Sequence, residues 1–189
     1  PGAHYSMGGI HTNLYGETSI DGIYAVGECS CNGTHGANRL ASNSLIESLV
    51  FGKRAAESVN NRSFTSSTVK QNKKDKSVTC TKPPFELNEL KVLNWNILGI
   101  EREKNSLDNY IQKLEPYMDS AIASIENNDT NRTNNEACLL SYLIAKAAML
   151  RTESRGAHFR KDYPNEDTTQ AHSNIFIKKD DSAEPNITN

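Results

Sequence analysis

The feature that most constrains this chain is residues 32–52, where a turn sequence passes into an apolar run. Glycines and small polar residues surround one arginine, Arg39, and residues 45–51 then read Leu-Ile-Glu-Ser-Leu-Val-Phe. Residues 42–44 (Ser-Asn-Ser) are of types preferred at helix N-caps, so we predict a helix over residues 42–59. The start of such a helix presents unpaired N–H groups to an anionic or electron-rich group. On these residues alone, an anion site and an ordinary capped helix are equally expected.

The residues before this turn predict a buried strand that ends in a carboxylate. Residues 21–28 run through a turn and the apolar segment Ile23-Tyr24-Ala25-Val26 to Glu28, and residues 10–14 predict another short strand. In open α/β sheets, ligands bind at the carboxyl ends of the strands. The order of strand, glycine-rich turn and capped helix therefore favours a ligand site around the turn.

The second half of the chain predicts helices. Apolar residues three and four apart predict three of them, over residues 86–104, 105–126 and 136–155, with an interruption of the second near Pro116. Three helices with short connections predict a small antiparallel bundle.

Two residues of this bundle carry specific expectations. Trp95 is predicted to be a buried core residue rather than one that stacks on a ligand. Gly156 is predicted to be the C-cap of the third helix, where glycine is favoured.

Polar segments flank this bundle. Residues 60–85 are rich in Asn, Ser and Lys and contain Pro83-Pro84, which predicts a surface linker. Its lysine run at residues 70–76 is more often a solvated linker than a site for an acidic partner. Residues 178–189 are polar and are predicted to be disordered.

Charge and cysteine content exclude several functional classes. The net charge is −2, which gives no basis for nucleic-acid binding. No apolar run reaches membrane-spanning length. The four cysteines lack metal-ligand spacing and are interpreted as reduced thiols of a cytoplasmic protein, and we predict no metal site.

Four motifs follow one another along the chain: His4-Tyr5-Ser6-Met7-Gly8-Gly9-Ile10, residues 22–28, residues 35–45 and residues 153–164. In this order they resemble the flavoprotein superfamily of succinate dehydrogenase, fumarate reductase and L-aspartate oxidase. The resemblance implies the α/β remnant of an FAD-binding domain (strands plus one helix) followed by the helical bundle. Together with the composition and the apolar spacing, it predicts four parts: the flavin-domain piece at 1–59, the linker at 60–85, the helical domain at 86–177 and the tail at 178–189.

Within this superfamily the sequence resembles the L-aspartate oxidase family. The Ala41-Ser42 pair is typical of that family, and the helical region before the Ser-Arg-Gly motif is short. The resemblance implies hydride transfer from L-aspartate to FAD, which gives iminoaspartate, and reoxidation by oxygen or fumarate. It implies a role in NAD biosynthesis, with quinolinate synthase as the next enzyme.

The resemblance also assigns site residues. His4 and Arg39 would bind the substrate, and the FAD ligands would be Gly8, Gly9, Glu28, Asn43, Ser44 and Leu45. A guanidinium suits a carboxylate because it donates two parallel hydrogen bonds. Without the resemblance, a structural arginine and a structural histidine are the more frequent outcomes. His35 receives no chemical role, and Arg155 and His158 are interpreted as structural residues that help to dock the helical domain.

Two alternatives remain open from the sequence. One is a fragment of a succinate dehydrogenase or fumarate reductase flavoprotein, and the other is a helical interaction module without catalysis. No catalytic residue is assigned, because the resemblance leads us to expect the catalytic arginine, the Gly-rich nucleotide fingerprint and the capping domain of the superfamily upstream of Pro1. We therefore expect the isolated chain to be inactive and to bind FAD weakly or not at all.

Overall fold

The computed structural model describes residues 5–62, 82–127, 132–171, 173–177 and, for the backbone, 186–188. It divides into two compact units, Pro1–Lys73 and Lys74–Asn189. Most of the predicted linker, residues 63–81, lies outside the described residues, as do residues 178–185 and 189 of the predicted tail.

The first unit contains a two-stranded parallel sheet and one long helix. Strand β1 is Ile10–His11 and strand β2 is Ser30–Cys31, with Ile10 opposite Ser30 and His11 opposite Cys31. A 3-10 turn at Gly27–Cys29 leads into β2. The short β1 lies inside the strand predicted over residues 10–14.

The strand predicted over residues 21–28 is wrong. Tyr24 makes only an isolated antiparallel bridge with Glu17. Gly22 and Gly27 have φ values of +80° and +74°, which are left-handed conformations. They turn the backbone at both ends of the apolar segment, between which the bridge at Tyr24 forms.

Helix α1, Ala41–Asn61, confirms the predicted helix. Its buried positions, Ser44, Glu47, Phe51 and Ala55, recur every three or four residues and define one face. The N-cap expectation for residues 42–44 is wrong. The N-cap is Leu40, whose extended backbone (φ −91°, ψ 134°) precedes the helix and whose side chain makes no capping hydrogen bond.

The second unit contains four packed helices, so the fold class predicted from the sequence is confirmed. They are α2 (Leu87–Leu98), α3 (Lys104–Leu114), α4 (Met118–Glu126) and α5 (Arg132–Leu150). The predicted interruption is confirmed, because Pro116 lies in a 3-10 turn between α3 and α4. Strands β3 (Asn174–Phe176) and β4 (Asn186–Thr188) pair antiparallel.

The core of this unit forms where α3 and α4 pack on α5. Its fully buried side chains include Leu90, Leu107, Tyr110, Leu114 and Cys138. Trp95 is not among them, and the prediction of a core residue there is wrong, since 49% of it is exposed. At 3.6 residues per turn, Trp95 lies about 140° around α2 from the buried Leu90.

The end of α5 also differs from the prediction. The helix stops at Leu150, so Gly156 is not its C-cap; with a φ of +59°, Gly156 lies in the turn between Arg155 and His158. The buried Arg160 explains the early end. Its Nη1 donates to the carbonyl oxygens of Ala148, Met149 and Arg151 at 2.6, 3.2 and 3.1 Å, which satisfies acceptors that a helix terminus leaves unpaired.

No helix in the described part of the chain is long and apolar enough to span a membrane.

Candidate functional site

Arg39 is a buried cation of the first unit, with 7% of the residue exposed. It follows a turn in which Gly33 and Gly36 have φ values of +85° and +57°. Its Nε donates to the carbonyl oxygen of Ser6 at 3.2 Å, across 33 residues of sequence. The sequence prediction that Arg39 precedes the helix is therefore confirmed, and the side chain turns inward.

Glu47 lies opposite this arginine on the buried face of α1, with 4% of the residue exposed. Its Oε1 accepts a hydrogen bond from Nδ2 of Asn32 at 2.6 Å. Its Oε2 lies 3.8 Å from Nη1 of Arg39 and 3.9 Å from Nε2 of His35. Sequence reasoning did not select Glu47, although it is the only acidic residue within the apolar run at 45–51.

Several polar atoms of this cluster are buried without a hydrogen bond to any described residue. They are Nη1 of Arg39, Nε2 of His35, Oε2 of Glu47 and Oγ of Ser44. Most buried polar groups in proteins form hydrogen bonds, so several buried polar atoms without one in a single cluster are unusual. Here a cation and an anion neutralise each other at a distance too long for a hydrogen bond.

Glu28 lies on the exposed side of the same loop cluster. Its Oε1 accepts a hydrogen bond from the backbone N–H of Ser6 at 2.8 Å. The carbonyl of Ser6 accepts from Arg39, so this one backbone unit connects both side chains. The exposed carboxylate retains capacity to accept further hydrogen bonds.

The two predicted glycines differ in their surroundings. Gly8 (φ +87°) is exposed, and a Cβ there would meet no atom within 4 Å. Gly9 (φ +144°) packs so closely that a Cβ would overlap the carbonyl of Cys29. Gly9 is therefore required by its approach to the 3-10 turn, whereas Gly8 leaves open space beside the backbone.

The remaining predicted ligands lie in the first turn of α1. Asn43 is exposed and Leu45 is 70% exposed, whereas Ser44 is buried. The N–H groups at the start of the helix have no side-chain cap from Leu40. His4, the other predicted substrate ligand, lies outside the described residues.

The second unit holds a separate network of charged side chains around Glu153, which is fully buried. The carboxylate accepts hydrogen bonds from Arg151 (2.5 Å), Arg155 (3.0 Å) and the N–H of Asp167 (2.8 Å). Burial alone would raise the pKa of the carboxyl, but the hydrogen bonds from Arg155, Asp167 and Arg151 outweigh it and lower that pKa. This network stabilises the segment after α5.

His158 belongs to the same segment. Its Nδ1 lies 2.7 Å from Nη1 of Arg102, and its Nε2 lies 3.3 Å from the carbonyl oxygen of Arg151. Burial, reinforced by the charge of Arg102, lowers the pKa of His158 to about 4. His158 and Arg155 are thus both engaged inside their own unit.

Neither a metal site nor a disulfide is present among the described residues. No group of three or more potential metal ligands occurs there, and Cys29, Cys31 and Cys138 are free thiols. Cys80 lies outside the described residues.

Comparison with known families decides the relationship of the chain. A family described as "FAD binding domain" matches residues 1–45, and one described as "Fumarate reductase flavoprotein C-term" matches residues 87–189. The second match covers more than half of the chain. The chain belongs to the fumarate reductase flavoprotein family.

Relatives within this family include L-aspartate oxidases. The enzyme of Saccharolobus solfataricus is 43% identical over 165 residues, which cover 87% of this chain and 32% of that protein. The enzyme of Bacillus subtilis is 39% identical over 187 residues, which cover 95% and 34% respectively. The chain thus spans about a third of the length of these relatives, and its resemblance to the C-terminal part of L-aspartate oxidase is confirmed.

A solved structure shows the same fold. Quinol fumarate reductase of Escherichia coli matches with a TM-score of 0.68 and 28% sequence identity, over 98% of this chain and 36% of that one. Both units therefore have the architecture of the family.

The described residues fit the FAD that this family implies. Glu28 offers an exposed carboxylate, and Gly8 leaves space for a flat ring. The start of α1 offers N–H groups without a side-chain cap. A polyol and an electron-rich ring edge are the chemical groups that these donors and acceptors suit.

Proposed function

We propose that this chain is the C-terminal portion of an FAD-dependent L-aspartate oxidase, which oxidises L-aspartate to iminoaspartate in the first step of NAD biosynthesis. The observation that carries the proposal is the position of Arg39. Its guanidinium is buried directly before the helix whose first turn we propose to contact FAD, and Nη1 has no hydrogen-bond acceptor among the described residues. The sequence identity of 43% and 39% to two L-aspartate oxidases, over most of this chain, supports L-aspartate as the substrate.

In this proposal Arg39 binds one carboxylate of L-aspartate. A guanidinium holds a carboxylate through two parallel hydrogen bonds, which fixes orientation as well as position. Burial strengthens such a contact because little water competes for the donors. His4 is proposed to bind the substrate beside it.

The FAD ligands proposed from this chain are Gly8, Gly9, Glu28, Asn43, Ser44 and Leu45. The chemistry that FAD supplies when bound is acceptance of the hydride from Cα of L-aspartate, with oxygen or fumarate as the final electron acceptor. Glu28 would accept hydrogen bonds from the ribityl hydroxyls. The first turn of α1 would stabilise negative charge at the pyrimidine edge of the ring.

The proposed product, iminoaspartate, indicates which enzyme would act next. Iminoaspartate would be consumed by quinolinate synthase, and we place the enzyme in the cytoplasm. We propose that residues 1–189 alone are inactive, since Arg39 and His4 supply only part of the site.

A second candidate is a fragment of a succinate dehydrogenase or fumarate reductase flavoprotein. The fold similarity to quinol fumarate reductase favours it. Both candidates act on a dicarboxylate, so Arg39 would bind a substrate carboxylate in each.

The test uses the full-length flavoprotein loaded with FAD and mixed with substrate without oxygen. L-Aspartate is expected to bleach the flavin absorbance and to yield iminoaspartate, whereas succinate leaves the absorbance high. Bleaching by succinate alone would establish the respiratory alternative. A full-length protein purified without flavin, and unable to take it up, would contradict both candidates.

A further inference from the structure

We propose that Glu47 is a positioning residue for Arg39. Its buried carboxylate fixes the orientation of the guanidinium, so that the carboxylate of a dicarboxylate substrate meets donors that are already aligned. This inference rests on the proposed function, because it concerns the arginine assigned there to the substrate.

The first step is the position of Glu47. It lies on the buried face of α1, between Ser44 and Phe51. The helix is continuous over this stretch, and Nδ2 of Asn32 donates to Oε1 of Glu47 at 2.6 Å. The direction of the other oxygen, Oε2, is therefore determined by both the helix and the turn at Asn32.

The second step is the charge of this carboxylate. A buried anion is costly unless an opposite charge lies beside it. Oε2 has no hydrogen bond to any described residue, and it lies 3.8 Å from Nη1 of Arg39 and 3.9 Å from Nε2 of His35. A carboxylate that served only packing would be expected to have saturated its hydrogen bonds. Glu47 is instead held at a distance from Arg39 where it acts through its field.

The third step is the effect on Arg39. The carbonyl of Ser6 restrains Nε, and the field of Glu47 restrains the Nη1 side of the same planar group. Two restraints at different atoms fix the plane of the guanidinium. An orientation fixed before binding spares the substrate the cost of ordering the arginine.

The experiment compares Glu47→Gln with wild type in the full-length, FAD-loaded protein. The amide keeps the size of the side chain and can still accept from Asn32, but it removes the charge. Succinate serves as the probe, because it has two carboxylates and lacks the amino group that the oxidation requires. Its Kd is measured by titration of the flavin absorbance.

We expect the Kd for succinate to rise about tenfold, because the substrate must then meet the cost of ordering the guanidinium of Arg39. The KM for L-aspartate should rise by a similar factor, while kcat and flavin content change less than about threefold. The matched control is Glu57→Gln on the exposed face of α1, where the carboxylate pairs with Lys53. This control should leave the Kd unchanged.

A double-mutant cycle shows whether Glu47 acts through Arg39. In an Arg39→Leu background, Glu47→Gln should have no further effect on the Kd for succinate. An equal effect in both backgrounds, or an unchanged Kd in Glu47→Gln alone, would overturn this inference. If Arg39→Leu itself leaves the Kd for succinate unchanged, the proposed function fails instead.

A conservative variant covers the case in which Glu47→Gln does not fold. Glu47→Asp keeps the charge and should retain a Kd within about threefold of wild type, as expected where the charge is what positions Arg39. A folded Glu47→Asp protein with a Kd raised tenfold or more would contradict the proposal.

Discussion

Arg160 closes the C-terminal end of α5 by donating from Nη1 to the carbonyl oxygen of Ala148 at 2.6 Å. The same guanidinium pairs with Asp162 through Nη2 at 2.6 Å, and Arg160 is 1% exposed. We expect Arg160→Met to lower the free energy of unfolding by about 2–4 kcal/mol, because it leaves buried acceptors unpaired. The neighbouring Lys161→Met, which breaks only a surface pair with Glu101, should cost less than about 1 kcal/mol. Urea unfolding of the two variants checks the difference.

Acid should destabilise the second unit through His158. The pKa of His158 is lowered from 6.5 to about 4 in the folded protein. Between these values the unfolded chain binds a proton that the folded chain does not, so stability falls as the pH drops from about 6.5 to about 4. We expect His158→Gln to lose less stability than wild type between pH 7 and pH 5. Denaturant unfolding at the two pH values measures both losses. If wild type and His158→Gln lose the same free energy of unfolding, His158 is not the group that makes stability depend on pH.

Truncation of Trp95 should have a small effect. The side chain is half exposed, so Trp95→Ala is expected to cost less than about 1.5 kcal/mol. Leu107→Ala provides the comparison, because Leu107 of α3 is fully buried in the core, and its truncation should cost about 2–5 kcal/mol. A larger loss for Trp95→Ala than for Leu107→Ala in thermal or urea unfolding would mean that the core is assigned to the wrong face of α2.

Glu28→Ala should weaken retention of the flavin in the full-length protein. Glu28 is exposed and is proposed to accept hydrogen bonds from the ribityl hydroxyls. The flavin-to-protein ratio after dialysis should fall, while the Kd for succinate in the flavin-loaded fraction stays within about threefold of wild type. Glu57→Ala, at another exposed carboxylate of the same unit, serves as the control. If only the Kd for succinate changes and the flavin content does not, Glu28 contacts the substrate and not the flavin.

The helices could be predicted from the sequence because their apolar spacing reports the buried face directly. This held for α1 and for the break at Pro116 between α3 and α4. The prediction of a strand at residues 21–28 was wrong. Its apolar residues are typical of a strand, but Gly22 and Gly27 turn the backbone at both ends of them. Local composition does not reveal which conformation a glycine adopts.

The site could be predicted only in part. Arg39 could be selected because it is the one arginine in a glycine-rich turn, and the structure shows that it is buried. Glu47 was missed because a single carboxylate in an apolar run resembles an exposed position of an amphipathic helix. Its partners, Asn32 and Arg39, come from the turn before α1, and contacts across a turn leave no periodic pattern in the sequence.

The most direct test of the central claim is steady-state oxidation of L-aspartate by full-length Arg39→Leu, measured together with the flavin spectrum. A buried guanidinium–carboxylate contact contributes roughly 2–4 kcal/mol. We therefore expect kcat/KM to fall by about two to three orders of magnitude while the flavin stays bound, with partial recovery in Arg39→Lys. A kcat/KM for Arg39→Leu near that of wild type would contradict the account, because the substrate carboxylate would then bind elsewhere.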